Sequence, residues 1–414
     1  MAARWTNSFL CSVLALSAIG SAFPALASPI ATGSSGLQDG DILPGKFIVS
    51  LKPGTEAESH LAWVQDIHRR SVSRRDTIGL DKAYAIGRFQ GYAGEFDDET
   101  IEQIKGNENV LAVEPDRVAQ ITALTNQSDA PWGIASLSSR TQLENGDVRG
   151  HVYTFDDSAG EGTYAYVLDT GVMIENSEFE GRAVRGYNAW PSESFEDFFG
   201  HGSHVAGTIA SATYGVAKKA TIVDVKVARG LGYATLATIL DGYNWAVNNM
   251  TNTEGRAAKS VISISLAIGT SEALNSAIDA AFELGALTVV GAGNDGADAS
   301  TRSPASAASA ITVGAVDWTR TRPSWSNYGP GVDVFAPGVD VASIWNVEGV
   351  ESVISGTSTS TPHVSGLVLY LRALEGGLDS PARTVARVKE LASEGIVADA
   401  GTGSPNLLVY NGVA

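Results

Sequence analysis

Apolar residues fall into short runs and helical repeats that divide the chain into two regions. In the first region, Lys46–Leu51 is an apolar run of strand length, and Glu56–Arg70 carries apolar residues at helical spacing. The remaining predicted elements of this region are the strands Tyr84–Phe89, Ala93–Phe96 and Val110–Val113 and a helix that opens at Asp97. The order β-α-β-β-α-β predicts a small α+β domain of the ferredoxin-like plan.

The second region alternates strands with helices. It follows Ile121–Ala135, a polar stretch without a period that we interpret as an exposed connection. The predicted strands are Tyr164–Leu168, Thr221–Val227, Ser260–Leu266, Leu287–Val290 and Ile311–Val316, and the predicted helices are Gly202–Ala212, Leu236–Val247, Glu272–Leu284, Ser360–Leu374 and Pro381–Ala392. This alternation predicts an α/β domain in which helices cover both faces of a mainly parallel sheet.

The N-terminus has the pattern of a secretory signal peptide. Arg4 precedes an apolar stretch from Phe9 to Ile19, and small residues at Ala25 and Ala27 form a cleavage motif. We therefore predict a signal peptide over residues 1–27 and an extracellular protein; an apolar N-terminal helix of a cytosolic domain is the alternative. The only cysteine, Cys11, lies within this segment, so the mature protein would contain no disulfide.

The charge of the chain restricts its partners. The formal net charge is −18 at pH 7. Nucleic acids and anionic membranes both attract clusters of Lys and Arg, so neither is an expected partner. No segment after the signal has the length and apolar content of a membrane span. We expect an acidic, exported monomer.

Polar residues with catalytic chemistry follow several predicted strands or precede helices. Asp169 follows one strand, Asn294 lies in a turn after another, and Ser358 comes just before a predicted helix. His201 is the second residue of the run Gly-His-Gly-Ser-His. A serine hydroxyl becomes a nucleophile when an imidazole removes its proton and a carboxylate orients that imidazole. An amide donor then stabilises the developing oxyanion.

Three motifs carry a resemblance to a known family. Asp169-Thr-Gly, Gly200-His-Gly-Ser-His-Val-Ala-Gly-Thr208 and Ser355-Gly-Thr-Ser-Thr-Ser-Thr-Pro-His363 resemble the signatures of subtilisin-like serine proteases, in the order Asp, His, Ser that this family uses. The flanking sequence is similar to the proteinase K-like branch of fungal secreted enzymes. The resemblance covers the chain from about Gly45 onward and implies a three-layer subtilisin-like domain behind an inhibitory propeptide.

The resemblance assigns expected roles to four residues. Asp169 would orient the base, His201 would be the general base, and Ser358 would be the nucleophile. Asn294 would join the Ser358 backbone N–H in the oxyanion hole. Polypeptides would be the substrates, with a broad specificity and an apolar preference. No cofactor is expected for catalysis.

The resemblance also implies which segments bind substrate. The expected residues are Ser265, Leu266, Ala267, Ala292 and Gly293. Where the family usually has Ser-Leu-Gly-Gly, this chain has Ala267 and Ile268 in the last two positions, and we expect their side chains to narrow the pocket for the residue before the cleaved bond. Thr359 replaces the usual Met after the nucleophile, which removes an oxidisable thioether without removing activity.

A structural calcium ion is the one metal that the resemblance implies. The expected ligands are the carboxylate of Asp333 and the backbone carbonyls of Ala308 and Ala310, with waters completing the oxygen shell that calcium requires. The family often has Pro where Ala308 stands, but a backbone oxygen survives that change. A surface carboxylate without a metal is the alternative for Asp333.

Together these observations predict three segments. They are a signal peptide at 1–27, a linker and inhibitory propeptide at 28–122 with its core at about 45–121, and a peptidase domain at 123–414. We expect the enzyme to be made as a zymogen whose propeptide acts as intramolecular chaperone and inhibitor. Self-cleavage is predicted between Thr122 and Ala123, within two residues.

Other interpretations of the same residues remain open at this point. His201 and His204 could form a zinc pair, although no third ligand cluster is apparent. The first domain could be an ordinary accessory domain. An α/β-hydrolase esterase would require Gly-x-Ser-x-Gly and another order of the triad. A catalytically dead binding protein on a protease fold is the non-enzyme alternative, and such relatives usually lose a triad residue.

Overall fold

The computed structural model describes residues 42–71, 77–118 and 124–413, all within one unit that spans Gln38–Ala414. The predicted signal peptide at 1–27 and the predicted cleavage point at Thr122–Ala123 lie outside the described residues. The first strand begins at Ile42, before the predicted strand start at Lys46 and before the expected start of the propeptide core at about residue 45.

The first domain is a four-stranded antiparallel sheet with two helices. Its elements are β1 Ile42–Leu51, α1 Ala57–Arg70, β2 Gly79–Ile86, β3 Phe89–Glu95, α2 Asp98–Lys105 and β4 Val110–Arg117. The sheet order is β2-β3-β1-β4, which is the ferredoxin-like arrangement. Its core contains Val49, Val64, Tyr92 and Ile104. Asp97 caps α2 by accepting the Thr100 N–H at 2.8 Å.

One predicted strand in this domain was wrong. Tyr84–Phe89 was expected to be a single strand, but the chain turns at Gly87, which has a φ of +56°, and the two sides belong to β2 and β3. Ile86 pairs with Phe89 across this tight turn. The positive φ is accessible to glycine without steric cost, so glycine marks the end of β2.

The second domain is built on a nine-stranded sheet. The strands are β5 Leu124–Ala130, β6 His151–Asp156, β7 Tyr164–Asp169, β8 Ala183–Asn188, β9 Thr221–Lys226, β10 Ser260–Ile264, β11 Ile268–Gly269, β12 Thr288–Gly291, β13 Arg302–Ser303, β14 Ile311–Val316, β15 Val334–Pro337, β16 Val341–Ile344, β17 Glu351–Ile354, β18 Ser393–Glu394 and β19 Leu407–Leu408. The large sheet has the order β18-β19-β15-β14-β12-β10-β7-β9-β8 and is parallel except at β18. Three two-stranded pairs, β5–β6, β11–β13 and β16–β17, lie outside it.

Helices cover both faces of this sheet. They are α3 Trp132–Leu137, α4 His201–Ala210, α5 Leu236–Thr251, α6 Glu272–Glu283, α7 Thr357–Leu374 and α8 Pro381–Leu391. The core on one face contains Val205 and Ile209 of α4 and Val364 and Leu367 of α7. Residues of α5 and α6 form a second core on the other face. This is the three-layer α/β fold that the alternation predicted.

The stretch Ile121–Ala135 was predicted to be an exposed connection; β5 in its described part is largely exposed, but it is a regular strand. Its described part contains β5, which pairs antiparallel with β6, for example Asn126 with Thr154. The strand is polar and borders its partner rather than the main sheet, so it carries no hydrophobic period. Its pairing with β6 depends on residues more than twenty positions further along the chain.

Candidate active site

The order of the strands creates a crevice beside β7. From β7 the chain builds β8 and β9 on one side of that strand and then β10, β12 and β14 on the other. Side chains at the carboxyl ends of parallel strands meet at such a switch point. Asp169 ends β7, Ser265 follows β10, and Asn294 follows β12. The predicted polar residues therefore lie at one edge of the sheet.

Asp169 and His201 are in direct contact. The His201 Nδ1 atom lies 2.8 Å from Oδ1 and 3.0 Å from Oδ2 of Asp169. A carboxylate can only accept in this contact, so Nδ1 carries the proton and Nε2 is left as the basic nitrogen. Asp169 is buried, while the His201 side chain keeps 20% of its surface exposed. This geometry suits an imidazole that takes a proton from a neighbour.

The approach of these two side chains requires a residue without a side chain at Gly202. A Cβ atom there would lie 2.1 Å from the Gly171 carbonyl oxygen and 3.0 Å from the Asp169 Cβ. The Gly202 N–H instead donates to Thr170 Oγ1 at 3.0 Å. The first turn of α4 therefore packs directly on the end of β7.

Asp197, which was not among the predicted site residues, joins the two segments that carry Asp169 and His201. Its Oδ1 accepts Thr170 Oγ1 at 2.8 Å and the Gly200 N–H at 2.8 Å. Its Oδ2 accepts Ser203 Oγ at 2.7 Å and the Ser203 N–H at 3.0 Å. An acidic residue just before a helix that opens at a candidate base is the signal that could have identified it.

Burial and two carboxylates act on the pKa of His201. Burial lowers it, but the charge and hydrogen bond of Asp169 and the charge of Asp197 act in the opposite direction, and the net pKa is raised. Both carboxylates favour the imidazolium form because they place negative charge beside it. The site therefore stabilises the cation that forms when His201 accepts a proton.

Ser358 lies in the first turn of α7, beside two hydrogen-bond donors. A Cβ atom on Gly356 would lie 2.9 Å from Ser358 Oγ, 3.6 Å from the Ser358 backbone nitrogen and 3.6 Å from Asn294 Nδ2. The hydroxyl and both donors therefore converge on one small volume, which the glycine keeps open. N–H groups in the first turn of a helix have no partner within the helix, so the Ser358 N–H is available to a ligand.

Thr357 sets the orientation of the Asn294 amide. The Thr357 N–H donates to Asn294 Oδ1 at 2.8 Å, and Thr357 Oγ1 donates to the same oxygen at 3.0 Å. Because a backbone N–H can only donate, the amide oxygen must face Thr357 and Nδ2 must face the opposite direction. Thr357 was not among the predicted site residues; its hydroxyl also accepts the Gly293 N–H at 3.1 Å.

One cavity of about 420 Å³ contains the candidate nucleophile and base. His201 and Ser358 line it, and four of the five expected substrate-binding residues line it as well: Ser265, Leu266, Ala267 and Gly293. Gly291, Asn294, Asp295, Arg302 and Thr357 complete the lining. Within the described residues no hydrogen bond joins Ser358 Oγ to His201, as is common in sites without substrate.

Two expectations about this cavity were wrong. Ala292 does not line it, because its side chain is buried in the cluster of Ala299 and Ala305, and the lining residue is Gly291. Ile268 does not narrow it either, because its side chain packs against the core formed by α5 and α6. Only Ala267 adds a side chain to the cavity in place of the usual glycine.

Known proteins are similar to this chain both in sequence and in fold. The subtilase family matches residues 160–402, and the peptidase inhibitor I9 family matches residues 46–122. Subtilisin-like proteinase Mp1 of Magnaporthiopsis poae is 49% identical over 94% of this chain and 96% of its own. The alkaline proteinase of Hapsidospora chrysogena is 48% identical over 93% of this chain and 96% of its own. A solved cold-adapted subtilisin-like serine proteinase is 37% identical, with a TM-score of 0.62 over 69% of this chain and all of that one.

The chain belongs to the subtilase family. It is a serine endopeptidase with an N-terminal propeptide of the inhibitor I9 type, as the resemblance implied. An esterase, a non-enzymatic binding protein and an ordinary accessory domain are no longer alternatives. In the part of the chain that the structure describes, no helix has the length and apolar character of a membrane span.

The other histidines of this subtilase near the site are structural. His204 is fully buried and donates from Nε2 to the Val341 carbonyl at 3.0 Å, and burial lowers its pKa to about 3. His363 contacts the Thr359 carbonyl through Nδ1, and burial lowers its pKa to about 4. The described residues contain no group of three or more His, Cys, Asp or Glu side chains that could hold a metal. A zinc pair of His201 and His204 has no support here.

Asp333 does not fit the calcium site that the resemblance implied. Its Oδ2 accepts the Thr312 N–H at 2.8 Å, and its Oδ1 lies 2.7 Å from the ammonium of Lys389 on α8. A positive charge therefore already neutralises the carboxylate that was expected to bind calcium beside the carbonyls of Ala308 and Ala310. A calcium ion would have to displace Lys389, because two cations cannot share one carboxylate oxygen without strong repulsion.

Proposed function

We propose that this subtilase cleaves polypeptides through a triad of Asp169, His201 and Ser358. The observation that carries the proposal is the convergence of the Ser358 hydroxyl, the Ser358 N–H and the Asn294 amide around the Gly356 backbone. Acyl transfer by a serine requires a hydroxyl beside donors for its oxyanion and a base that removes the hydroxyl proton. His201 lines the same cavity and has its Nδ1 proton held by Asp169.

In the first step, His201 Nε2 accepts the proton of Ser358 Oγ while that oxygen attacks the peptide carbonyl. The carbonyl oxygen becomes an oxyanion between the Ser358 N–H and Asn294 Nδ2. Asp169 stabilises the imidazolium without taking its proton. The imidazolium then protonates the leaving amine, and the C–N bond breaks to leave an acyl-enzyme on Ser358.

In the second step, water replaces the departed amine. His201 removes a proton from this water, the hydroxide adds to the acyl carbon, and the same two donors bind the second oxyanion. The proton returns to Ser358 Oγ when the ester bond breaks, which regenerates the enzyme. All residues in this sequence come from one chain, so a monomer suffices for the reaction.

We further propose that the enzyme is secreted and matures by its own activity. The predicted signal peptide and the propeptide that precedes the subtilase region support this order of processing. The expected cleavage point lies between β4, which ends at Arg117, and β5, which begins at Leu124. Purified Ser358→Ala protein should keep its propeptide, whereas N-terminal sequencing of the active enzyme should find a start within two residues of Ala123.

A serine-directed covalent probe tests the triad directly. A fluorophosphonate should label the wild-type enzyme, and Ser358→Ala should lose both the label and peptide hydrolysis. Ser360→Ala is the matched control, because Ser360 lies on the same helix but is fully buried and does not line the cavity. Folded Ser358→Ala protein with normal turnover, or label retained on it, would contradict the proposal.

A further inference from the structure

The chain contains two Asn-x-Ser/Thr motifs, which are acceptors for N-linked glycans in secreted proteins. They begin at Asn126 and at Asn249. The motif needs two side chains, an Asn whose amide nitrogen takes the sugar and a Ser or Thr two positions later. A glycan is bulky, so the amide must also face solvent in the folded protein. The structure distinguishes the two motifs by how it places this pair of side chains.

At the first motif, strand geometry places the pair on one face. Asn126 and Ser128 lie on β5 and are exposed, whereas Gln127 between them is half-buried and donates to the Thr213 carbonyl at 2.9 Å. Residues two positions apart along a strand point to the same side. The Ser128 hydroxyl has no hydrogen-bond partner among the described residues. Both groups of the motif are therefore presented together.

The amide of Asn126 is oriented with its nitrogen free. Thr154 Oγ1 donates to Asn126 Oδ1 at 2.7 Å across the β5–β6 pair. This contact directs the amide oxygen toward Thr154, and Nδ2 has no partner among the described residues. A glycan attaches to Nδ2 and leaves Oδ1 as an acceptor, so the contact with Thr154 is compatible with the modification.

The second motif lies on helix α5, where the same two groups are separated. Asn249 and Thr251 are two positions apart on a helix, so their side chains do not face each other. The Thr251 hydroxyl also donates to the Val247 carbonyl at 2.9 Å within the helix. In the folded chain this motif does not present its amide and its hydroxyl to one enzyme site.

A cavity of about 610 Å³ borders the first motif. Thr154, the cross-strand neighbour of Asn126, lines it together with Arg140 and Tyr410. The Arg140 guanidinium lies 3.9 Å from the centre of the Tyr410 ring and donates to one hydroxyl and one backbone carbonyl. Three of its five N–H groups remain without a partner among the described residues. Hydroxyl and acetamide oxygens of a sugar suit these donors, and no acidic side chain among the described lining residues competes for them.

We propose that Asn126 carries an N-linked glycan and that its first N-acetylglucosamine lies against the cavity of Arg140. The transfer joins Asn126 Nδ2 to the anomeric carbon of an oligosaccharide and breaks the bond from that carbon to a lipid pyrophosphate, which is the donor. Nδ2 gives one proton to a base of the oligosaccharyltransferase, and the lipid pyrophosphate leaves with the bonding electrons. This transferase belongs to the secretory pathway, so the inference rests on the proposed secretion of the enzyme.

The first experiment asks where the sugar is attached. The full chain is secreted from a yeast host, and peptide mass spectrometry before and after glycosidase treatment identifies the modified Asn. Ser128→Ala removes the motif but leaves the contact between Asn126 and Thr154 intact, and it should lose the sugar at Asn126 completely. Ser128→Thr is the matched control, because it preserves the motif and should keep the sugar. Asn249→Gln should leave the attachment at Asn126 unchanged.

A thermal measurement tests the contact between the sugar and the cavity. Arg140→Met should lower the Tm by about 2–4 °C more in the glycosylated enzyme than in the Ser128→Ala background, because only the glycosylated enzyme loses a contact with the sugar. Trimming the glycan to its first sugar with an endoglycosidase should preserve this difference. Arg383→Met removes an exposed arginine of α8 outside the cavity and should change both backgrounds equally. Inactivation with a fluorophosphonate prevents autolysis during the scan.

The outcomes distinguish this inference from the secretion on which it rests. Sugar on Asn126 that disappears in Ser128→Ala, together with the Tm difference that depends on Arg140, would support it. Secreted enzyme without sugar at Asn126, or with sugar only at Asn249, would overturn it. Sugar at Asn126 without the Tm difference would overturn the contact with the cavity. A chain that stays in the cytosol with residues 1–27 attached would contradict the proposed secretion, and this inference with it.

Discussion

The two halves of the candidate active site are built in different ways. In the half that contains Asp169, His201 and Asp197, the carboxylates are buried and their oxygens accept several hydrogen bonds. In the half that contains Asn294 and Ser358, the groups are neutral, and the donors that face the cavity have no partner within the described residues.

The difference follows from what each half must do. An imidazole that gains a proton needs fixed negative charge beside it, and buried charge is stable only when donors surround it. An oxyanion that exists only in the transition state needs donors that remain free until it forms. Loss of a carboxylate charge in the first half should therefore lower the catalytic rate. In the second half, the rate should fall when a hydrogen-bond donor is lost or when a side chain fills the space beside Gly356.

The largest effect should come from Asp169→Asn. The amide would offer an N–H to His201 Nδ1 and would favour the tautomer whose proton is on Nε2, where it cannot accept from Ser358. A change of this type in a triad typically lowers kcat by about 10⁴-fold. Steady-state kinetics on one peptide substrate would measure it. A loss below 10-fold in folded protein would remove Asp169 from the proposed role.

Removing the donor from the other half should have a smaller effect. We expect Asn294→Leu to lower kcat by about 10²–10³-fold with little change in KM, because the amide meets the oxygen mainly as it becomes negative. Asn294→Asp is the sharper variant, since it keeps the acceptor for Thr357 but replaces the donor with a second oxygen. A rise in KM with kcat intact in Asn294→Leu would place the residue outside the oxyanion hole.

A still smaller effect, with its own signature, is expected for Asp197→Asn. The variant should lower kcat/KM by about 10-fold because one of two accepting oxygens is lost beside Ser203. It should also lower the pKa of His201, since the charge of Asp197 raises it. Activity requires neutral His201, so the acid limb of the kcat/KM profile should move to lower pH.

Asp317→Asn is the matched control for that measurement. Asp317 also accepts several donors from its own turn, at Thr319 and Thr321, but it does not line the cavity. Its substitution should leave the acid limb in place. If Asp197→Asn lowers the rate but does not move the limb, Asp197 acts only on the fold of the segment and not on the charge of His201.

The smallest effect concerns Lys389, far from either half of the site along the chain. Lys389→Met leaves the Asp333 carboxylate without its cation and should lower the Tm in the presence of a chelator by about 1–3 °C. Excess calcium should recover part of this loss if the freed carboxylate then binds the ion. The measurement uses Ser358→Ala protein to prevent autolysis.

Protein that keeps Lys389 shows whether the Asp333 carboxylate pairs with this lysine or binds calcium. If Lys389 keeps calcium away from Asp333, the protein with Lys389 should have the same Tm in excess calcium as in chelator. A calcium-dependent increase that disappears in Asp333→Ala would restore the calcium site that the resemblance implied, and it would show that the ammonium yields to the ion.

Much of the fold could be predicted because its signals are local. The central strands β7 and β14 are nearly continuous apolar runs, and Asp97 marks the start of α2 through its own capping bond. The motif around His201 keeps glycines where the end of β7 and α4 approach each other, so even this close packing leaves a trace in the residues. The polar strand β5 leaves none, because its backbone pairs with β6, which lies beyond α3 along the chain.

By itself, the sequence determined the α/β alternation, the ferredoxin-like first domain and the family, since periodicity and short motifs depend on neighbours along the chain. Only the tertiary structure decided that Ala292 faces the core while Gly291 faces the cavity, because a turn sets the direction of each side chain. It also decided the partner of Asp333. Lys389 lies on another element, and a charge at the surface of a helix carries no signal of which carboxylate it will meet until the helix packs.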